Sequence, residues 1–235
     1  MILLRPGARR GQSDRGGLHS LHAFSGADFH DPAWTGFGAL RVLNEDRLAP
    51  GAAIPPQRRA NMELVDILLS GRLASRDGSG GDRELAAGDV LWLGAGHGLE
   101  HQAHNPDAAV PLHRLQAWLQ PDRLNAAPAS AQATFDPEAR RGRWALLLSP
   151  DGVDGSLAIR LQACLRATRL DAGMQIAHPL DPARRYWLQV VSGEVEVAGH
   201  ALAAGDALAF EAEGGTLQLD AHDDDSDVLL FDLPG

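Results

Sequence analysis

The sequence predicts an all-β chain built from two similar barrel domains, and three observations carry that prediction. A strand-and-turn pattern occurs twice along the 235 residues, apolar residues alternate with period two, and 26 glycines with 14 prolines supply the turns. Nowhere does a long stretch show the three-and-four spacing of an amphipathic helix.

The repeat is the strongest of these signals. LLSGRLASRDGSGGDRELAAGDVLWL, from Leu68 to Leu93, lines up with VVSGEVEVAGHALAAGDALAF, from Val190 to Phe210. Each holds an apolar pair, Ser-Gly, an alternating strand, a turn, a strand ending in Leu-Ala-Ala-Gly-Asp, and a second apolar strand. The first copy carries the longer hairpin tip, around Gly78 to Gly81. Between the copies, PDRLNAAPASAQATFDPEARRG is rich in Pro and Ala and nearly free of alternation, so it reads as a linker. The domains expected are therefore 1–120, a linker at 121–142, and 143–235. Near the end, Asp223, Asp224 and Asp225 precede the apolar strand from Val228 to Leu233. They read as a solvated turn, since a calcium loop needs a central Gly and a later acidic residue that are absent here.

Composition narrows the function. The chain is 44% hydrophobic, enough for real cores, and no apolar run approaches the roughly 20 residues of a membrane-spanning helix. The short apolar start lacks the cleavage site of a signal peptide, which predicts a cytoplasmic protein. All 21 basic residues are Arg, against 31 acidic ones, and the net charge of −10 opposes direct binding to nucleic acid or an anionic membrane. Cys164, the single cysteine, has no internal disulfide partner and reads as a small core residue. No nucleophile elbow, phosphate-cradling Gly loop or cysteine-pair zinc motif is present.

Strand into Ser-Gly, then a Gly-Asp turn, resembles the skeleton of cupin barrels, small double-sheet jelly rolls, and two of them make a bicupin. The resemblance sharpens to the pirin family, in its bacterial pirin-like members. RGQSDRGGLHSLHAFSGADFHDPAWTGFGALRVLNEDRLAPG resembles the family's N-terminal segment. NMELVDILLSGRLASRDGSGG, AAGDVLWLGAGHGLEHQAHNP and LHRLQAWLQP resemble its first barrel, while LLLSPDGVDGSLAI, YWLQVVSGEVEV and DVLLFDLPG resemble its second. The resemblance implies a metal-bearing N-terminal barrel and a metal-free C-terminal one. Some members oxidise flavonols such as quercetin as dioxygenases, and eukaryotic relatives act as nuclear cofactors of transcription. It further implies a metal site made of His-x-His on one strand and His-x-Glu on another. Residues two apart on a strand share a face, so each pair sends two ligands into the barrel. Such ligands suit iron, nickel, copper or manganese.

Carried over residue by residue, that site largely fails. The first pair falls on Gln57 and Arg59, with Glu63 following, and the second on His101 and Ala103. Only His101 remains of four ligands. Ala103 offers no donor, and the permanent charge of Arg59 repels a cation. His97 and His104 flank His101 and suggest a rebuilt zinc or nickel site, but on a strand His101 and His104 face opposite ways unless a bulge intervenes. Glu63 reads as the salt-bridge partner of Arg59, with a general base as the other reading. Gln116, in LQAWL, joins the expected pocket because that stretch resembles a cavity-lining family strand. Trp92, Trp118, Trp144 and Trp187 read as core.

The expected function is thus that of a pirin-like bicupin with a degraded metal site and no cofactor. It is expected to be a metal-free small-molecule-binding or regulatory protein, whose pocket of Gln57, Arg59, His101 and Ala103, with Glu63 and Gln116, would take a small organic ligand, anionic or aromatic. The alternatives are a quercetinase-type dioxygenase using one divalent Fe, Ni, Cu, Mn or Zn at a non-standard site, and a protein interaction module. In the last case the protein partner is unknown.

Overall fold

The computed structural model describes every residue except Ala27, Ser79 and Gly80. Two of those three fall in the long hairpin tip expected at Gly78 to Gly81, whose centre therefore lies outside the described residues. Among the described residues the chain is all β, broken only by short 3-10 turns at Gly7–Arg9, Glu138–Arg140 and Val153–Gly155. No helix among them is long and apolar enough to cross a membrane.

The chain divides into two compact units. One comprises residues 11–135 with 159–161. Its seven-stranded sheet runs Ala129–Thr134, Asp89–Gly94, Glu63–Ser70, Leu112–Leu119, Leu40–Leu48, Leu18–His22 and Gly11–Arg15, and its four-stranded sheet runs Ala53–Arg59, Leu99–His104, Arg72–Asp77 and Asp82–Ala86. Leu68, Leu73, Leu85, Leu91 and Leu93, all at most 1% exposed, fill the space between the two sheets.

The other unit comprises residues 1–10, 136–158 and 162–235. Its seven-stranded sheet runs Ile2–Arg5, Ala207–Glu211, Arg184–Ser192, Ser226–Pro234, Cys164–Leu170, Ala145–Ser149 and Leu157–Ala158, and its four-stranded sheet runs Gln175–Leu180, Gly215–Ala221, Glu194–Val197 and His200–Ala203. Tyr186, Leu188, Phe210, Leu219 and Leu230 form its core. Cys164 is half-buried on this barrel, and desolvation is the main cause pushing its thiol up. The acidic turn is tied down by arginines, with Asp225 held by Arg141 and Arg169 and Asp227 by Arg140.

Equivalent strands therefore hold equivalent places in the two units, and the repeated residues do the same work in each. Gly71 and Gly193 turn at φ +78° and +75°, and Gly88 and Gly205 at +91° and +92°, angles that favour glycine. Asp89 Oδ2 accepts the backbone N–H of Ala86 at 2.8 Å, as Asp206 Oδ2 accepts that of Ala203 at 3.0 Å. Leu-Ala-Ala-Gly-Asp is thus a turn whose carboxylate caps its own backbone.

The edge strands come from segments that the sequence assigns elsewhere. Ile2–Arg5, placed by sequence in the 1–120 domain, pairs with Ala207–Glu211 of the other barrel. Ala129–Thr134, inside the expected linker, pairs with Asp89–Gly94. Each adds backbone hydrogen bonds to a sheet that would otherwise end one strand earlier.

Candidate functional site

A cavity of about 490 Å³ opens between the two sheets of the residue 11–135 unit. Its floor belongs to the seven-stranded sheet. On Leu112–Leu119, alternation turns Arg114, Gln116 and Trp118 inward, opposite Asp46, Asn44 and Val42 on Leu40–Leu48. Arg114, 3% exposed, sends Nε and Nη2 to Asp46 Oδ2 at 3.1 and 3.0 Å. Its Nη1 lies 3.1 Å from Asp66 Oδ1, an ion contact that is not aligned as a hydrogen bond. Burial opposes the guanidinium charge and is the largest influence on it. Asp66 and Asp46 outweigh burial, so the proton is held more tightly than on an ordinary Arg. Gln116 Nε2 donates to Asp66 Oδ1 at 2.9 Å, and Ser20 Oγ to Asp46 Oδ1 at 2.6 Å. Beside them His22 Nδ1 meets Asn44 Oδ1 and Nε2 meets Ser13 Oγ, both at 2.8 Å. An amide oxygen only accepts, so Nδ1 carries the proton.

The opposite wall belongs to the four-stranded sheet and holds the family's ligand positions. His101 pairs directly with Gln57, Leu99 with Arg59, and the register then slips so that Ala103 meets Ile54. The extra residue falls in the stretch containing Pro55 and Pro56, which have no N–H to give to the ladder. His101, 8% exposed, has Nε2 3.0 Å from Ser75 Oγ. Burial pushes its imidazole down; Asp66 and Asp77 pull the other way, and Arg114 and Arg59 add to the fall. The ring is therefore neutral at pH 7. Arg59 donates to the Arg58 carbonyl through Nη1 and to Gln57 Oε1 through Nη2, and its guanidinium carbon sits 4.7 Å from the Trp118 ring centroid.

Gln57, Arg59, His101 and Gln116 thus share one cavity. Ala103 is 3% exposed and packs in the core with Leu99 and Leu73, behind the lining. Glu63 corrects the expectation: it neither lines the cavity nor pairs with Arg59. First on its strand and 1% exposed, it accepts Trp92 Nε1 at 2.6 Å and the Arg160 N–H at 3.3 Å. Desolvation raises its pKa, against the lowering effect of those partners. Trp118, expected in the core, forms cavity wall instead. His97 and His104 are exposed and line two other depressions, and the bulge needed to gather them lies on the partner strand instead. Among the described residues no three His, Cys, Asp or Glu side chains gather as a metal site. The donor set at the family positions, one imidazole, one amide, one guanidinium and one methyl group, does not fit a transition metal.

The floor residues Asp46, Asp66, Arg114, His22 and Asn44 went unread in the sequence. Their signal was Arg114 and Gln116 at alternate positions of the apolar stretch LHRLQAWL, opposite the similarly interrupted LRVLNEDRL. In the second barrel His178 lies edge-on between Trp144 and Tyr186, with centroids 5.9 and 6.0 Å away. Burial, with Arg166 adding to it and Asp232 opposing, pushes that imidazole down as well.

Two jelly-roll units in one chain, the first with a cavity between its sheets, define a bicupin. The family model described as Pirin matches residues 5–119, and that described as Quercetinase C-terminal cupin domain matches 146–233. A curated quercetin 2,3-dioxygenase of Escherichia coli K12 is 37% identical over 235 residues, covering 100% of this chain and 99% of that protein. The pirin-like protein YhaK of the same strain is 34% identical over 240 residues, covering both chains completely. A crystal structure of E. coli YhhW and one of bacterial pirin YhhW in complex with nickel(II) are each 36% identical and superpose with TM-scores of 0.94 and 0.93. They cover 100% of this chain and 98% and 99% of theirs. The chain belongs to the pirin family.

Proposed function

We infer that this pirin-family bicupin binds a small organic molecule in its N-terminal barrel without a metal. The observation that carries the reading is Arg59. At a position where the family places a metal-binding histidine, its guanidinium lies on the cavity wall, and a fixed positive charge there excludes a divalent cation from the space His101 faces. An amide, a guanidinium, one imidazole and a methyl group are unsuited to holding the metal that flavonol dioxygenation uses to bring substrate and oxygen together.

Elemental analysis of protein purified without an affinity tag tests the reading. The expected result is no stoichiometric iron, nickel, copper, manganese or zinc, and no oxygen uptake with quercetin when these metals are added. Near one metal per chain, removed by His101→Ala, overturns it. Conversely, Gln57→His, Arg59→His and Ala103→Glu together are expected to install metal binding.

A second reading, a quercetinase-type dioxygenase with a non-standard site, draws support from the 37% identity to the E. coli enzyme across the whole chain. Quercetin turnover abolished both by chelator and by His101→Ala selects it.

A further inference from the structure

One guanidinium on the cavity wall has no acidic partner among the described residues. Arg114 takes Asp46 and Asp66, Arg15 pairs with Asp28, and Glu63 is spent on Trp92 and Arg160. Arg59 has only two neutral oxygens, the Arg58 carbonyl and Gln57 Oε1. A guanidinium carries five N–H donors in a rigid fork, so most of this one stays open. Trp118 lies 4.7 Å beneath, a cation–π contact that restricts the guanidinium and so lowers the entropy a ligand must give up to use it.

The space beside the fork has a definite shape. It is a slot between two facing sheets, which pack about 10 Å apart, and its opposite walls carry Ile54 and Pro55 on one side and Leu64 and Val42 on the other. A flat apolar body fits such a slot, and a planar bidentate anion fits an Arg fork.

Resting on the metal-free reading above, we propose that the cavity takes a small aromatic carboxylate, its carboxylate gripped by Arg59 and its ring held in the slot between Pro55 and Leu64. The fixed charge of Arg59 gives the pocket a cation for its ligand without a metal.

Isothermal titration of the chelator-treated chain with 2-naphthoate, and with 2-naphthamide as its neutral twin, tests the proposal. The acid is expected to bind at least tenfold more tightly than the amide. Arg59→Gln abolishes that preference, and Arg59→Lys, which keeps the charge and loses the fork, keeps part of it. Arg59 lies on a partly exposed strand, so melting temperatures near that of the parent are expected; Arg59→Lys serves alone if the glutamine variant does not fold. Equal binding of acid and amide, or a preference that survives Arg59→Gln, overturns acid recognition and leaves metal-free binding standing. Binding of the acid only after nickel(II) is added overturns the metal-free reading and the proposal with it. Failure of the acid to bind under either condition overturns the proposal.

Discussion

Replacing Arg114 by Met removes the one charge that two buried carboxylates share. Asp46 and Asp66 are each 2% exposed and would keep only the hydroxyl of Ser20 and the amide of Gln116. Breaking a buried ion pair from one side costs roughly 3–5 kcal/mol. A second route to the magnitude starts from proton uptake. Without Arg114 the two carboxyls cannot both stay ionised in the barrel, and at least one must fold protonated. Holding a proton at pH 7 on a group whose reference value is about 3.9 costs about 1.4 kcal/mol per pH unit, or about 4 kcal/mol. The two routes agree. They also fix a sign: the folded variant binds a proton that the unfolded chain releases, so its stability falls as pH rises and recovers toward pH 5. Urea unfolding at pH 5 and pH 8 measures the loss, and hydrogen exchange in residues 112–119 confines the reading to this barrel. Adding Asp46→Asn and Asp66→Asn to Arg114→Met should remove the pH dependence. A loss below about 1 kcal/mol, or one equal at both pH values, refutes the reasoning.

Glu63 gives a second test of sign. Its folded pKa is raised, so its stabilising effect is complete below about 4.5 and is lost as pH rises through the raised value. Glu63→Gln keeps an acceptor for Trp92 and should be at least as stable as the parent at pH 7, with the advantage shrinking toward pH 4.5. Glu63→Ala leaves the Trp92 N–H without its acceptor and should cost about 1–3 kcal/mol in urea melts. The repeated glycines predict matched damage. A Cβ on Gly71 would lie 2.7 Å from Leu112 Cα and one on Gly193 2.8 Å from Ser226 Cα, both at positive φ. Alanine at either site should cost at least about 1–3 kcal/mol, seen as a lowered melting temperature, and a neutral variant would show that the equivalence of the two turns is superficial.

The fold was legible because its turns are written locally. Ser-Gly and Ala-Gly-Asp specify backbone shapes that need no distant partner, and their duplication exposed the two barrels. The edge strands were not legible, because Ile2–Arg5 and Ala129–Thr134 gain their ladders from residues far along the chain. Gln57, Arg59 and His101 followed from the family pattern and strand parity. Glu63 was misread for a geometric reason. It begins the strand that follows Arg59 and lies on the opposite sheet, where Trp92, paired one strand away, offers its N–H at 2.6 Å. Charge complementarity in sequence suggested a pair, and sheet membership decided otherwise.

Sheet membership also explains how the barrel tolerates such a donor set. The ion triad of Arg114, Asp46 and Asp66 sits on the seven-stranded sheet, where each side chain is almost fully buried and removal of Arg114 strands both carboxylates. The family's ligand positions sit on the four-stranded sheet, where Gln57 is exposed and Arg59 half-buried at the cavity's mouth. A polar side chain there reaches water in either chemistry, so exchanging imidazole for amide or guanidinium adds little desolvation cost. His101 and Ala103 are the exceptions: His101 is 8% exposed and Ala103 is packed in the core, and a carboxylate at position 103 is costly unless a cation or a metal answers it. On the metal-free reading, alanine is the less costly residue at position 103, and Arg59 supplies a positive charge at the cavity's rim. On that reading Gln57, Arg59 and Ala103 form one consistent set, with the charge carried by the protein in place of a bound ion.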